Sequence, residues 1–598
     1  FSAGKNGQVF LWSGPQKARS PDRRKELAKV RKKTFRKRQK TGRPKSAACK
    51  KERRENRERR EEKLMGFLGK RQQMGLAALI LAASAILSRL MGLIRDKVIS
   101  WQFGAGNEAD MYFAAFVVPD IINYLLAGGF MSITIIPILA ACFRKNEEDA
   151  WQFFSCIFLW MAIASIVLTA GGMIFSGHLV RLVAPGFSPE QAERLAFFMR
   201  IILPAQVFFL CGACFTALLF LRRQFSVPAL TPLIYNGAIL AFGLVLPLFF
   251  PDSDSGRASF GMTGYCIGVT TGAAAGAFLL PMSVAMKDGL RLSLVWKHRL
   301  FRKFLFIALP LMLGQTVVML DEQFLRVFGS LLGEGWVSLL NYGRRIAQVP
   351  IGLMGQAVAV ASYPFLVQLL ADNKREEFDA TLRKALFAGI GLIIPCALMM
   401  TAGARQILEI IFQGGKFGIA ETLAALPLTQ IMLLAAPAWI VYMVLVRAYY
   451  AHGDTLTPAI TGTLITIVCV PLYYWLAVPL GAWAIPFLSG IAVTVYVAWL
   501  AIIWTKRNGS GAFAGFWKLV SLSLACSVPP AFCAWLAITC LENILPAIPF
   551  ITACAALFGG CLVFAFLYLP LARFFMPDIY HSLMNRMARR IHLQNGKR

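Results

Sequence analysis

Long apolar segments recur along this chain from about residue 74 to about residue 572. Most are 20 residues or more in length, and about 20 residues cross a hydrocarbon core of roughly 30 Å as a helix. The segments are apolar on every face, whereas a helix at the surface of a soluble protein has one apolar stripe. They lack the alternation of strands, and a backbone in lipid must satisfy its own hydrogen bonds. The pattern predicts an all-α polytopic membrane protein.

We predict about fourteen transmembrane helices from these segments. Their limits are 75–100, 109–141, 151–175, 196–221, 228–250, 260–286, 304–328, 335–370, 380–402, 423–450, 456–478, 481–504, 515–540 and 548–572. The second and eighth are long for a simple span, so we expect them to tilt, bend or protrude.

Basic residues alternate between the two sets of connecting loops. One set contains Arg144, Lys145, Arg222, Arg223, Lys287, Arg291, Lys297, Arg299, Arg302, Lys303, Lys374, Arg375, Lys506 and Arg507. The other set contains Arg181, Arg257, Arg405 and Lys416. The positive-inside rule places the first set and both termini in the cytoplasm. We therefore expect a bacterial inner-membrane protein.

Charge separates the first 73 residues from the rest. The chain is 57% hydrophobic with a net charge of +31, and residues 1–74 hold 26 Lys/Arg against 7 Asp/Glu. So charged a segment cannot form a core, and we expect 1–73 to be disordered. It is either a native basic tail that binds anionic lipid or upstream sequence translated in frame, because Met65 or Met74 would make a natural start. We expect no nucleic-acid partner.

Several function classes find no support in the sequence. It contains no G-x-x-x-x-G-K-[ST] phosphate loop and no soluble domain of useful size between the spans. Cys211-x-x-Cys214 lies within an apolar helix, where we expect packing rather than metal binding. We predict no catalytic residues, no metal site and no cofactor. Transport would draw on the membrane potential, a monovalent cation gradient or consumption of product.

Arginines inside the predicted spans are the candidate binding residues. A charge at membrane depth costs several kcal/mol and usually faces a cavity or a partner. Arg89 and Asp96 are seven apart and share a helical face, whereas Arg95 projects elsewhere. Because the guanidinium fork suits phosphate, we expect Arg89, Arg95 and Arg345 to bind an anionic substrate.

The remaining charges in the spans have two predicted roles. The secondary cavity charges are Asp96, Arg344, Asp321 and Glu322. Those expected either to pair with one another and hold helices together or to snorkel to an interface are Asp120, Arg326 and Arg447.

Short motifs run in a fixed order along the chain from about Met74 to at least Trp504. They are Ser88-Arg89-x-x-Gly92-x-x-Arg95-Asp96, Phe103-Gly104-Ala105-Gly106, Ala109-Asp110, Ala114-Ala115-Phe116-x-x-Pro119, Ala184-Pro185-Gly186-Phe187, Gln224-Phe225-Ser226-Val227-Pro228-Ala229, Gln413-Gly414-Gly415-Lys416-Phe417 and Asp454-Thr455-x-Thr457-Pro458. In these motifs the chain resembles the MurJ (MviN) family of lipid II flippases, within the MOP transporter superfamily.

The resemblance implies a domain arrangement. Two pseudo-symmetric six-helix lobes would span 74–290 and 291–510, with helices 1, 2, 7 and 8 lining a central cavity. Helices 13 and 14, within 511–575, would form a groove for a polyprenyl tail. Residues 576–598 would be a basic cytoplasmic tail.

The resemblance also implies the binding residues. The family's cavity arginines map onto Arg89, Arg95 and Arg345, its helix 1–2 acidic position onto Asp110, and Ser88 belongs to the first motif. The chain departs from the family in helix 2, where a basic pair and an Ala-Glu-Gly segment are usual. Here Asn123 or Tyr124 replaces an arginine and Gly128 replaces the glutamate.

The function that the resemblance implies is translocation of lipid II, an undecaprenyl-pyrophosphate-linked peptidoglycan precursor, from the cytoplasmic to the periplasmic leaflet by alternating access. The expected partners are that lipid or a related glycolipid, membrane lipids and the cell-wall synthesis machinery. The alternatives are export of another polyprenyl-linked oligosaccharide or of drugs, a membrane glycosyltransferase, and a scaffold for cell-wall assembly. The arginines argue against a drug exporter.

Overall fold

A computed structural model describes residues 74–126, 130–249, 260–313, 316–544 and 549–577. Within these ranges the regular elements are helices, apart from one isolated β-bridge between Gly414 and Phe417. The all-α prediction is confirmed. The predicted basic extension, Gly128 and most of the predicted C-terminal tail lie outside the described residues.

The first half of the described chain forms eleven α-helices. They are α1 (Met74–Phe103), α2 (Asn107–Ala114), α3 (Val117–Leu126), α4 (Phe130–Lys145), α5 (Glu147–Ile174), α6 (Ser176–Val183), α7 (Pro189–Ile202), α8 (Ala205–Leu221), α9 (Ser226–Phe249), α10 (Phe260–Gly272) and α11 (Leu280–Lys287). A π-helical segment, Ala273–Leu279, joins the last two.

The second half of the described chain forms twelve more α-helices. They are α12 (Phe301–Leu313), α13 (Thr316–Gly329), α14 (Trp336–Pro350), α15 (Gln356–Ala371), α16 (Arg375–Ala402), α17 (Ala404–Ile411), α18 (Ile419–Leu434), α19 (Ala436–Ala451), α20 (Leu456–Leu480), α21 (Ala484–Asn508), α22 (Phe516–Ile544) and α23 (Pro549–Phe575).

Twelve helical segments within the described ranges are long and apolar enough to cross a membrane. Each corresponds to one predicted span. Helix α1 and the α12–α13 pair occupy the first and seventh predicted spans but are not among the twelve. The predicted count of fourteen is therefore not confirmed, while the multi-pass character of the chain is.

Both of the long predicted spans are interrupted. The segment predicted at 109–141 divides into α2, α3 and α4. The segment predicted at 335–370 carries Pro350 at the end of α14, followed by a π-helical turn, Ile351–Gly355. A proline removes a backbone donor and clashes with the preceding turn, so a local change of winding there is expected.

Local sequence explains where several helices begin. The Asn146 side chain accepts a 2.8 Å hydrogen bond from the Glu148 amide and caps α5. Ser188 and Gln191 form a capping box at the start of α7, where Pro189 occupies the first turn. Such caps satisfy amides that have no partner within their own helix.

The buried side chains form two apolar clusters. The larger draws on the first half of the chain and on residues between Phe304 and Ile485, so it joins both halves. The smaller lies between Ala359 and Met576, where α22 packs on α23 and on α16. The boundaries predicted for the two lobes stay predictions.

Candidate anion-binding cavity

A cavity of about 1250 Å³ lies between helices from the two halves of the chain. Drug-sized ligands occupy pockets of roughly 300–1,000 Å³, so this cavity is large enough for a bulky headgroup. Its charged lining residues are Arg89, Arg95, Asp96, Asp120, Glu322, Arg326, Arg344, Arg345 and Arg447. These side chains carry a net charge of +3.

Asp96 stands at the centre of the first charged group in the cavity wall. Its side chain is almost fully buried, and its Oδ1 accepts hydrogen bonds from Arg95 Nε at 2.9 Å and Nη2 at 2.8 Å. Its Oδ2 lies 3.0 Å from Nε of Arg345, which α14 contributes. One carboxylate therefore holds an arginine from each half of the chain.

Arg95 lines the cavity, as expected, although its helical position differs from the face that Arg89 and Asp96 share. Its side chain curls back to Asp96, and its Nη1 donates to Asn236 Oδ1 on α9 at 3.2 Å. The amide of Asn236 in turn donates to Ser88 Oγ at 3.4 Å. Because the arginine side chain is long, the guanidinium reaches Asp96 and the cavity even though the Cβ starts from another face of the helix. Sequence reasoning did not single out Asn236, although it is an isolated amide in an apolar span.

A second charged group links α3, α13 and α14. Arg326 donates to Asp120 Oδ2 at 2.8 Å and to Glu322 Oε1 at 2.7 Å. Arg344 donates to Asp321 Oδ2 at 2.6 Å and lies 3.9 Å from Glu322 Oε2. The expectation that Asp120 and Arg326 pair and join helices is confirmed. The group has one more carboxylate than guanidinium, so it adds no positive charge for a substrate.

Asp321 faces away from the main cavity. Its other carboxylate oxygen accepts a hydrogen bond from the Ser489 hydroxyl on α21, and the side chain borders a small separate pocket. Its neighbour Glu322 lines the main cavity. Adjacent residues on a helix point in different directions, and these two carboxylates consequently differ in their main arginine partners.

Two cavity arginines, Arg89 and Arg447, have no carboxylate within ion-pairing distance among the described residues. Arg89 is exposed to the cavity, and its guanidinium lies over the π-helical turn, where a Cβ added to Gly352 would be 2.4 Å from Nη1. Arg447 is half-buried in the wall contributed by α19. Of the two roles expected for Arg447, pairing with a neighbouring carboxylate is not observed among the described residues.

Asp110 lies outside the cavity lining. It is fully buried, and its carboxylate accepts hydrogen bonds from the Gly335 amide at 2.6 Å and from the Ser338 amide at 2.7 Å. The Ser338 hydroxyl also donates to it, at 2.5 Å. These amides begin α14, where a negative charge is favourable. Asp110 therefore caps a helix of the other half of the chain, and the structure does not bring it to the predicted binding residues.

Two residues of α3 depart from the family pattern, and they differ in their position relative to the cavity. Tyr124 lines the cavity, whereas Asn123 does not. An aromatic phenol thus borders the cavity in the stretch where the family pattern has a basic pair.

Two glycine-containing motifs, 103–106 and 413–417, pack against each other beyond the α1 residues Arg95 and Asp96 that line the cavity. The Lys416 amide donates to the Trp101 carbonyl at 2.9 Å, and the Lys97 ammonium donates to the Gln413 carbonyl at 2.6 Å. Motifs more than 300 residues apart in the chain therefore meet at one place.

Glycine is required around the contact between 103–106 and 413–417, because backbone lies directly against backbone there. Gly415 has φ 59°, and a Cβ there would be 2.1 Å from the Trp101 carbonyl oxygen. Gly335 has φ 87°, and a Cβ there would be 2.6 Å from the Ala105 carbonyl oxygen. Both positive φ values and the absence of space exclude other residues.

The opposite end of the lining reaches a basic loop. Tyr450 and Thr455 line the cavity there. Asp454, next to Thr455, accepts a 2.9 Å hydrogen bond from Arg507 Nη1. The cavity therefore extends towards the side of the molecule that carries one of the basic loops.

The relatives that resemble this chain in sequence are probable lipid II flippases. A probable lipid II flippase MurJ from Buchnera aphidicola subsp. Acyrthosiphon pisum is 24% identical over 376 residues, 62% of this chain and 72% of that protein. One from Thermotoga maritima is 24% identical over 423 residues, 71% of this chain and 82% of that protein.

Solved structures share the fold. A lipid II flippase MurJ in an inward closed conformation matches with a TM-score of 0.68 at 22% identity, over 84% of this chain and 99% of that one. An inward-facing multidrug resistance MATE family transporter of the MOP superfamily matches with a TM-score of 0.60 at 14% identity, over 73% of this chain and 98% of that one. The family model described as lipid II flippase MurJ matches residues 99–577, most of the chain, and this protein therefore belongs to the MurJ family of lipid II flippases.

Proposed function

We propose that this protein is a flippase that moves lipid II from the cytoplasmic to the periplasmic leaflet of the bacterial inner membrane. Family membership supports the substrate, and the observation that carries the proposal is the large, net positive cavity between the two halves of the chain. The diphosphate of the headgroup would bind there while the polyprenyl tail stays in lipid. A drug exporter would need a more apolar or acidic cavity.

Arg89 is the primary diphosphate contact in this proposal. It faces the cavity without a carboxylate partner among the described residues, so its whole charge is available to a ligand. Arg95 and Arg345 lie beside it but share Asp96, so together they contribute one net positive charge. Charge-assisted hydrogen bonds from guanidinium to phosphate are among the stronger polar contacts in proteins.

We infer an inward-facing state, in which the contact between 103–106 and 413–417 forms the closed end of the cavity and the lining extends to Thr455 at the other end. The closed end lies beside Lys416, in the loop set that carries few basic residues, and the extended end lies beside Arg507, in the basic set. With the basic loops in the cytoplasm, the headgroup would enter from that side. Rupture of the contacts between 103–106 and 413–417 would then expose the cavity to the periplasm.

The membrane potential is the proposed energy source. An anionic headgroup that moves outward travels down an inside-negative potential, and one elementary charge gains about 2.3 kcal/mol per 100 mV. A monovalent cation gradient is the alternative coupling.

Complementation of a strain depleted of its lipid II flippase tests the proposal. The full chain is expected to restore growth, and Arg89→Ala is expected to abolish it. Arg89→Ala is the sharpest variant because it leaves no buried carboxylate without a partner. Arg181→Ala, which removes an exposed arginine outside the cavity, is the matched control and is expected to support growth. Growth restored equally by Arg89→Ala at matched membrane levels would refute the mechanism.

Another polyprenyl-linked oligosaccharide is the second candidate substrate. Tyr124 in the cavity wall, in the stretch where the family pattern has a basic pair, favours it, because an aromatic ring stacks on sugar faces better than on phosphate. Failure of the correctly inserted chain to complement, together with translocation of another lipid-linked glycan in vesicles, would establish this alternative.

A further inference from the structure

The face of α19 that borders the cavity combines aromatic side chains with one arginine. Six residues of this helix line the cavity. They are Trp439, Tyr442, Met443, Val446, Arg447 and Tyr450. Their spacing of three and four residues places them in a single stripe of the helix. The stripe therefore contributes one continuous wall of the cavity.

Arg447 is the sole cation in this stripe. No carboxylate lies within ion-pairing distance of it among the described residues, and the ionisable side chain that interacts with it electrostatically is the Tyr363 phenol. A guanidinium half-removed from water without a counter-charge is costly, so an arginine so placed usually has a partner when the protein works. The missing partner is an anion that enters the cavity.

The two arginines without carboxylates come from different halves of the chain. Arg89 lies on α1, and Arg447 lies on α19. The other four cavity arginines are satisfied by Asp96, Asp120, Asp321 and Glu322. The group of Arg95, Arg345 and Asp96 keeps one net positive charge beside these two arginines. Arg447, on a helix of the other half of the chain, remains as a cation that a diphosphate at Arg89 does not account for.

We propose that Arg447 and the aromatic stripe of α19 form a second subsite, which binds a carboxylate of the peptide stem while Arg89 binds the diphosphate. This inference rests on the proposed function, since the lipid II headgroup carries both groups. A peptide ends in a carboxylate, and the fork of an arginine binds a carboxylate in a bidentate geometry. Trp439 and Tyr442, whose rings meet edge to face at 5.8 Å, supply apolar wall for the rest of the stem.

A substrate held at both subsites would connect the two halves of the chain. A headgroup with a diphosphate alone would engage only α1 and its neighbours. The second contact therefore discriminates a complete precursor from one that lacks its peptide. Arg447 acts here as a specificity-determining residue.

Binding measurements on the purified full chain test the inference. The ligands are a short-chain lipid II analogue with free peptide carboxylates, the same analogue with those carboxylates converted to amides, and a peptide-free disaccharide diphosphate. The wild-type protein is expected to bind the first about 10-fold more tightly than the other two, because a hydrogen-bonded charge pair is lost. Arg447→Gln is expected to bind the free and the amidated analogues with nearly equal affinity.

Three matched variants separate the explanations. Arg447→Lys keeps the charge and is expected to retain part of the discrimination. Arg89→Gln is expected to weaken all three ligands alike while the ratio between them is preserved. Arg181→Gln, the same change at an exposed site outside the cavity, is expected to change nothing.

The outcomes distinguish the subsite from the function on which it rests. If Arg447→Gln keeps the full preference for free carboxylates, or weakens the three ligands equally, the second subsite is wrong while the flippase proposal stands. If neither the wild type nor any variant binds any of the three ligands, the proposed function fails with it. A preference for free carboxylates that Arg447→Gln removes supports the subsite.

Discussion

Asp96→Asn changes the charge of the cavity with the smallest change of shape. In the wild type Oδ1 accepts both hydrogen bonds from Arg95, and Oδ2 pairs with Arg345 at 3.0 Å. The asparagine oxygen can still accept from Arg95, but as a neutral acceptor. The asparagine NH2 group would face the Arg345 guanidinium, donor against donor.

The cost follows from these three contacts. A hydrogen bond to a neutral acceptor is roughly half as strong as a charge-assisted one, so each Arg95 bond loses about 1 kcal/mol. The Arg345 side chain is 35% exposed, and water replaces much of its lost pair, so that contact adds less than about 1 kcal/mol. The free energy of unfolding should fall by about 2–3 kcal/mol.

Denaturant unfolding of the purified protein in one detergent measures this change. Glu377→Gln is the control, because Glu377 pairs at 3.0 Å with Lys374 and both side chains are more than half exposed. An exposed pair contributes little, so this variant should stay within about 0.5 kcal/mol of the wild type. If Asp96→Asn is no less stable than Glu377→Gln, Asp96 does not hold the two arginines.

Substrate affinity should change in the opposite direction. Without the Asp96 charge, Arg95 and Arg345 both become available to a ligand. The affinity for an anionic headgroup analogue should rise while the translocation rate falls, because release into the outer leaflet becomes harder. A fall in both affinity and stability would indicate that Asp96 instead orients the arginines for binding.

Three further predictions concern other parts of the molecule. Asp110→Ala should lower the free energy of unfolding by about 1–3 kcal/mol, since the buried amides of Gly335 and Ser338 lose their acceptor, while the affinity of refolded protein for the headgroup is unchanged. Gly352→Ala should leave stability within about 1 kcal/mol but weaken headgroup binding, because the new Cβ displaces the flexible end of Arg89; equal affinity in a binding assay would contradict this. In vesicles, collapse of an inside-negative potential should slow outward translocation, and a rate independent of potential would favour coupling to a cation gradient.

The helices were largely predictable because continuous apolar character is a local property. Every predicted span has a helical counterpart, and the two long spans divide as their length suggested. Two interruptions follow from particular sequences, Pro350 before a π-helical turn and the junction at Ala115 between α2 and α3.

The charged residues were less predictable, because pairing depends on which helices become neighbours. Asp120 and Arg326 were expected to pair and do. Asp110 was placed among the binding residues, yet it caps α14 across the closed end of the cavity. Arg447 was expected to pair with a neighbouring charge or to snorkel to an interface. It lines the cavity instead, because the packing of α19 places it there, and no local sequence pattern encodes that packing.

The closure between 103–106 and 413–417 depends mainly on main-chain atoms. The bond from the Lys416 amide to the Trp101 carbonyl would form whatever side chains those residues carried, whereas the bond to the Gln413 carbonyl needs the Lys97 ammonium. Substitutions at Trp101 and Lys416 can therefore change the side chains without removing this main-chain hydrogen bond, provided that the glycines remain. The main-chain part of this contact thus places its demand on glycine at 104 and 415, where a Cβ would meet backbone atoms, and on no particular side chain at 101 or 416.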